Sequence, residues 1–172
     1  TATNSVSGNI VIADTAGGLT VATGGVRQTG SGTVDITATG GTLNVNGTVQ
    51  SGGAGTITLT ATGGTSDVVV ADTKSVTSTG GNIAINADRD ITLTNTGTVI
   101  TSGTGTITLT ADADNLTSGA INANNSTTAI QAGSGLVTLL ARTGIAAGTT
   151  IDNVTATNSV SGNIVIADTA GG

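Results

Sequence analysis

This 172-residue chain has no histidine, cysteine, methionine, proline or glutamate, and no aromatic residue. Each absence removes a class of explanation. Without His, Cys or Glu, most general acid–base and nucleophile arrangements cannot be assembled, so an enzyme is not expected. Without Cys there are no disulfides, and the redox compartment cannot be read from the sequence. Without Phe, Tyr or Trp, a core must be built from Ile, Val, Leu and Ala, in an architecture thin enough not to need large side chains. The missing proline leaves every strand its amide hydrogen, which an interior strand needs for its ladders. Charge is also scarce: 8% of residues, with four Lys and Arg against ten Asp, for a net charge of −6. That balance disfavours nucleic acid and anionic membrane surfaces as partners. No apolar run approaches the length of a membrane span, and no membrane insertion is expected. No secretory leader pattern is visible either.

What is present argues for a folded chain. Hydrophobic residues make up 36%, with 28 glycines besides, and disorder normally requires the opposite combination of low hydrophobicity and high charge. The most informative feature is repetition. Residues 155–172, TATNSVSGNIVIADTAGG, reproduce residues 1–18 letter for letter, at an offset of 154. Residues 1–154 then read as one full tandem repeat, and 155–172 as the start of the next in the same solenoid. No separate domain is implied.

A shorter period lies inside the long one. Gly8 precedes NIVIA, Gly32 TVDITA, Gly55 TITLTA, Gly81 NIAINA, Gly105 TITLTA and Gly135 LVTLLA, and Gly162 precedes NIVIA again. The intervals are 24, 23, 26, 24, 30 and 27 residues, which predicts six coils of about 26 residues per 154-residue repeat. Alternation marks a strand with one buried face. The expected inward residues are Ile10 and Ile12, Val34 and Ile36, Ile57 and Leu59, Ile83 and Ile85, Ile107 and Leu109, and Val137 and Leu139. A one-residue slip would bury threonines and expose isoleucines, so the register is strongly specified.

Two further strand-like pieces follow in each coil. The second contains Leu19/Val21, Leu43/Val45, Val68–Val70, Ile91/Leu93 and Ile121; the third centres on Val26, Val49, Val76, Val99 and Ile130. Gly-Gly pairs, Asn and Asp separate them, as sharp corners require. Three strands and three corners make a triangular coil. Stacked coils make an all-β parallel β-helix, a β-solenoid advancing about 29 Å per six coils.

Candidate sites are few. The fifth and sixth coils carry extra residues, DADNLTSGAINANNSTTAIQAGSG and RTGIAAGTTIDNVTATNSVSG, which in a solenoid map to loops. Leu136 and Leu140 fall on the outward side of the sixth strand. They are either a local register adjustment or a lateral contact between parallel filaments. Asp88, Asp112 and Arg142 follow the first strand in successive coils and would form one column with a weak exposed ion pair. Solvated corner carboxylates are the ordinary reading of Asp88, Asp90, Asp112 and Asp114. Their alternative is a weak calcium site completed by corner carbonyls, although neither a full twelve-residue calcium loop nor a GGxGxD repeat is present. No other cofactor is expected. Outward Thr56/Thr58/Thr60 and Thr106/Thr108/Thr110 suggest an ice-binding array, but Asn82/Ala84/Asn86 interrupt it, and strand propensity explains the threonines better. Asn-x-Ser/Thr at Asn46, Asn115, Asn124, Asn125 and Asn153 is expected from composition alone.

The segments GTITLTATGG, GTVDITATGG, GNIAINADRDITLTNTG and GTLNVNGTVQSGGAG resemble the coils of filamentous-haemagglutinin-like exoproteins, giant β-helical surface proteins of bacteria. The resemblance covers essentially the whole chain. It implies a right-handed β-helix, export across the outer membrane, and service as an adhesin or extracellular fibre at the bacterial cell surface. Together these readings predict a structural segment of a long secreted filament, partnered end to end by neighbouring repeats and laterally by parallel filaments. The alternative is an adhesin stalk that binds glycan or matrix through the fifth- and sixth-coil loops.

Overall fold

A computed structural model describes residues 1–116 and 118–169. Among them there are twenty strands and no helix. All strand pairs are parallel, and each strand pairs with its counterpart roughly one coil away, the arrangement of a parallel β-helix.

Three faces build the solenoid. The first face stacks β2 (Ile10–Asp14), β5 (Val34–Thr39), β8 (Ile57–Thr62), β11 (Ile83–Ala87), β14 (Ile107–Ala111), β17 (Leu136–Ala141) and β19 (Asn153–Asn158). The second stacks β3 (Leu19–Val21), β6 (Leu43–Val45), β9 (Val68–Val70), β12 (Ile91–Leu93) and β15 (Ala120–Ala123). On the third lie β1 (Ala2–Asn4), β4 (Val26–Gln28), β7 (Val49–Ser51), β10 (Ser75–Ser78), β13 (Thr98–Thr101) and β16 (Ile130–Ala132). Two more strands, β18 (Gly144–Thr150) and β20 (Ile164–Asp168), follow a different rule described below.

The core is a set of aliphatic rows running along the axis. On the first face Ile10, Val34, Ile57, Ile83, Ile107 and Val137 stack in register, beside Ile12, Ile36, Leu59, Ile85, Leu109 and Leu139. Eleven of these twelve are buried, and Ile12, at the amino-terminal end, is half-buried. The second face adds the row Leu19, Leu43, Val68, Ile91, Ile121, and the third the row Val26, Val49, Val76, Val99, Ile130. Branched aliphatic residues suit these rows because they pack against identical shapes above and below on a pleated surface.

Glycine is required where the third face turns into the first. Gly32, Gly55, Gly81, Gly105 and Gly135 lie so close to the coil below that a Cβ would collide with the carbonyl oxygen of the preceding glycine in the column. The Gly that opens each first strand is therefore a spacing requirement between coils.

The sixth coil departs from the expectation of a 27-residue turn. β18 runs straight across the corner between the second and third faces. Its Gly144–Ala147 stretch pairs with β15, while Thr149 and Thr150 pair with Ile130 and Gln131 of β16. Gly148 permits the straight passage, because a Cβ there would strike the Ser126 carbonyl. With that corner omitted, the chain returns to the first face early, and Val154, not Ile164, stacks on Val137. β20 then continues onto β18, with Ile164 over Ile145. The strand after Gly162 is thus on the second face, not the first as the glycine spacing suggests.

Candidate functional site

The four carboxylates considered for calcium occupy neighbouring corners but are not gathered. Each is committed to its own partner. Asp88 is buried, and its Oδ2 accepts hydrogen bonds from the backbone N–H groups of Gly63 (2.6 Å) and Gly64 (3.3 Å) one coil below. Asp90 Oδ1 accepts the Ala120 amide of the coil above at 2.8 Å. Asp112 adopts a left-handed backbone (φ 60°), and its almost fully buried carboxylate lies 3.3 Å from Arg142 Nη1. Asp114 Oδ1 takes the Leu116 amide at 3.1 Å, a local turn. Among the described residues no group of three or more His, Cys, Asp or Glu is placed to hold a metal ion. A calcium ion would need these carboxylates to converge; here Asp88 and Asp90 hold amides of neighbouring coils, Asp112 faces Arg142, and Asp114 closes its own loop. The Asp112–Arg142 contact follows the column spacing, but Asp112 and Asp88 are buried where solvated corner carboxylates and an exposed pair were expected.

A second ionic contact was not visible in the spacing. Arg89 donates to Asp67 of the coil below through Nε (2.8 Å) and Nη2 (2.5 Å), a bidentate fork, and Asp67 Oδ1 also accepts the Asp90 amide at 3.1 Å. Burial acts to raise the pKa of Asp67, but the Arg89 hydrogen bonds, the Asp90 amide and the Arg89 charge together hold it below the ordinary carboxylate value. The exposed carboxylate of Asp72 is also lowered, mainly by hydrogen bonds from the Thr96 hydroxyl and amide.

The least expected feature is a polar row inside the third face. Asn4, Gln28, Ser51, Ser78 and Thr101 stack in register, and the last four are buried. Their side chains reach the glycine corner. Gln28 Nε2 donates to the Gly8 carbonyl, Ser78 Oγ to Gly55 (3.3 Å) and Thr101 Oγ1 to Gly81 (2.9 Å), while Ser78 Oγ accepts the Gly81 amide at 2.9 Å. Corner peptides left outside the backbone ladder need such partners in a dry interior. A polar residue two places after the inward Val of the third strand was the available signal.

Asp112, Asn115, Leu140, Arg142, Thr157 and Ser159 line a shallow cavity of about 220 Å³. That is below the roughly 300–1,000 Å³ of ordinary small-molecule sites. Leu140 is half-buried in this cavity, whereas Leu136 is 43% exposed. The pair suggested for lateral contact is therefore divided. Leu116, in the loop after β14, is more exposed at 74% and was overlooked because it lies outside any alternating pattern. The outward threonines are interrupted as expected, with Thr58 and Thr108 flanking Ala84.

The sequence matches no family model, and no curated protein and no solved structure matches it.

Proposed function

We propose that this chain is a structural segment of a long tandem-repeat β-solenoid, an extracellular fibre or surface filament of the filamentous-haemagglutinin-like kind. One observation carries the reading: the sequence of residues 1–18 recurs at 155–172, and its described residues, 1–18 and 155–169, lie at the two ends of a continuous aliphatic column. Each end offers strand edges that pair on one side only. β2 pairs with β5 alone, and β19 with β17 alone. A solenoid of this kind is quasi-one-dimensional, with stability approximately a sum over coils and their interfaces, so it can lengthen without redesign. The role is mechanical, with backbone pairing along the axis over a dry core; no catalysis is proposed.

The adhesin reading rests on the fifth-coil loops. The first strands of the fifth and sixth coils are 30 residues apart, with Ile107 paired to Val137, and Leu116 stands out from the longer coil. A glycan or matrix ligand would meet the rod there.

Immunogold labelling of intact source cells with antibody against this chain tests the fibre reading. Gold along extracellular filaments is the expected result. Label confined to the cell interior would contradict it.

A further inference from the structure

The two copies of the duplicated segment, described over residues 1–18 and 155–169, share one hydrogen bond of their turn but lie on different faces. In the first copy, Asn4 Nδ2 donates to the Gly8 carbonyl at 3.1 Å; in the second, Asn158 Nδ2 donates to Gly162 at 3.0 Å. The rest of the turn differs: Asn4 Oδ1 accepts the Val6 amide, whereas the Val160 amide bonds the Arg142 carbonyl and Asn158 Oδ1 is buried without a partner. The position of the segment changes too. Ala2–Asn4 pair with Val26–Gln28 on the third face, whereas Thr155–Asn158 pair with Thr138–Ala141 on the first. Ile10–Asp14 lie on the first face, whereas Ile164 follows Ile121 and Ile145 on the second. Two independent strand pairings are displaced by one face in the same direction.

The cause is β18. Along the third face, six steps lead from β1 through β4, β7, β10, β13 and β16 to Thr149–Thr150 of β18, and β19 lies one face beyond. One 154-residue repeat therefore spans six coils and one face. The displaced strands join existing rows, and Asn158 Oδ1 is the one buried polar side-chain atom there without a partner among the described residues. Val154 and Ala156 prolong the rows of Val137 and Leu139, Ile164 and Ile166 those of Ile145 and Ala147, and Asp168 Oδ1 accepts the Thr149 hydroxyl at 2.9 Å.

We propose that successive 154-residue repeats are rotated by one face of the solenoid, so that the fifth-coil loop surface is displayed on a three-repeat screw around the rod. This rests on the tandem-fibre reading above. The same loop then returns to a given side only every nineteen coils, about 91 Å along the axis at about 4.8 Å per coil. Neighbouring repeats present it to different sides. Such a rod offers its loops, including Leu116, to partners in three directions, which suits a network or a rounded bundle better than a flat raft of filaments.

Cysteine cross-linking tests the rotation in the 172-residue chain, which has no cysteine of its own. The rotated placement puts Thr138 beside Thr155; an unrotated one would put Gln131 beside Thr157, as Arg27 lies beside Thr3. Adjacent parallel strands hold Cα atoms about 4.8 Å apart, within disulfide range. The pair Thr138→Cys with Thr155→Cys should close under mild oxidation, while Gln131→Cys with Thr157→Cys stays reduced. The reverse result overturns the proposal. So does failure of both pairs while a control pair, Thr58→Cys with Ala84→Cys, closes. In a protein of three or more repeats, rods with an axial period of about 91 Å support the rotation. A period of about 29 Å overturns the rotation but leaves the fibre standing. If no rods form, the fibre reading fails and the cysteine result still decides the phase.

Discussion

Arg89 grips Asp67 across the interface between two coils, with both fork nitrogens on one carboxylate. The contact is half-exposed on the arginine side, at 41%, and more enclosed on the aspartate side, at 16%. It adds a side-chain tie to the backbone bonds that join the same coils at this corner, Arg89 N–H to the Ser66 carbonyl and Val68 N–H to the Asp90 carbonyl, each 3.0 Å.

Acid should loosen this tie. Asp67 has its pKa lowered by folding, so the folded state binds its proton less readily than the unfolded state. The contribution is fully present above the ordinary carboxylate value of about 3.9 and is lost as pH falls through the lower folded value. Solvent screening limits it to at most about 1 kcal/mol. Thermal unfolding followed from pH 7 to pH 2.5 should show a midpoint that falls below about pH 4. In Asp67→Asn that fall should be smaller, and an unchanged acid slope would remove Asp67 from the account.

Buried corner hydroxyls should matter more than the ion pair. Ser78→Ala strips the Gly81 amide and the Gly55 carbonyl of a partner in a dry interior. A loss of about 1–3 kcal/mol is expected, measured by denaturant unfolding. Thr101→Val, which keeps the shape and removes the hydroxyl over Gly81, should cost a similar amount. Neutral behaviour of both variants would mean that water reaches the corner.

Glycines divide into two kinds. At Gly55 a methyl group would collide with the Gly32 carbonyl, so Gly55→Ala should abolish folding or cost several kcal/mol, about 3 or more, as an unrelieved backbone clash. Gly103 has open space around it and a φ of 67°, so Gly103→Ala should cost only about 1–2 kcal/mol of left-handed strain. Circular dichroism melts of the two variants check the contrast, and equal effects would contradict the close stacking of coils.

Open ends should drive association. Val154 and Ile164 belong to inward rows yet are 42% and 44% exposed, and the outermost strands pair on one side only. Unpaired edges over an apolar column favour head-to-tail stacking. Sedimentation velocity should show end-to-end oligomers that lengthen with concentration, and Val154→Lys with Ile164→Lys should reduce them. A strictly monomeric parent chain would refute this.

The fold was legible because its signals are local. Alternation in Ile57/Leu59 or Ile107/Leu109 sets which face is buried, and the preceding glycine sets the coil boundary. Contacts between coils were harder to read. Asp67 and Arg89 are 22 residues apart, and only the true stacking offset brings them together. Gln28, Ser51 and Ser78 line the interior outside the aliphatic alternation that marks the other inward rows. β18 was misjudged for a related reason. GIAAGTT has no Asn, Asp or Gly-Gly pair at its centre, and the missing corner was itself the clue to a straight strand. Nor does nearness in sequence make the four aspartates converge: Asp88, Asp90 and Asp114 hold separate backbone amides and Asp112 faces Arg142.

Cryo-electron microscopy of proteins with one, two and three tandem repeats tests the central claim most directly. Each added repeat should lengthen a rod of constant width by about 30 Å, with a meridional reflection near 4.8 Å. Particles that widen or become globular without that reflection would contradict stacked coils, and with them the fibre.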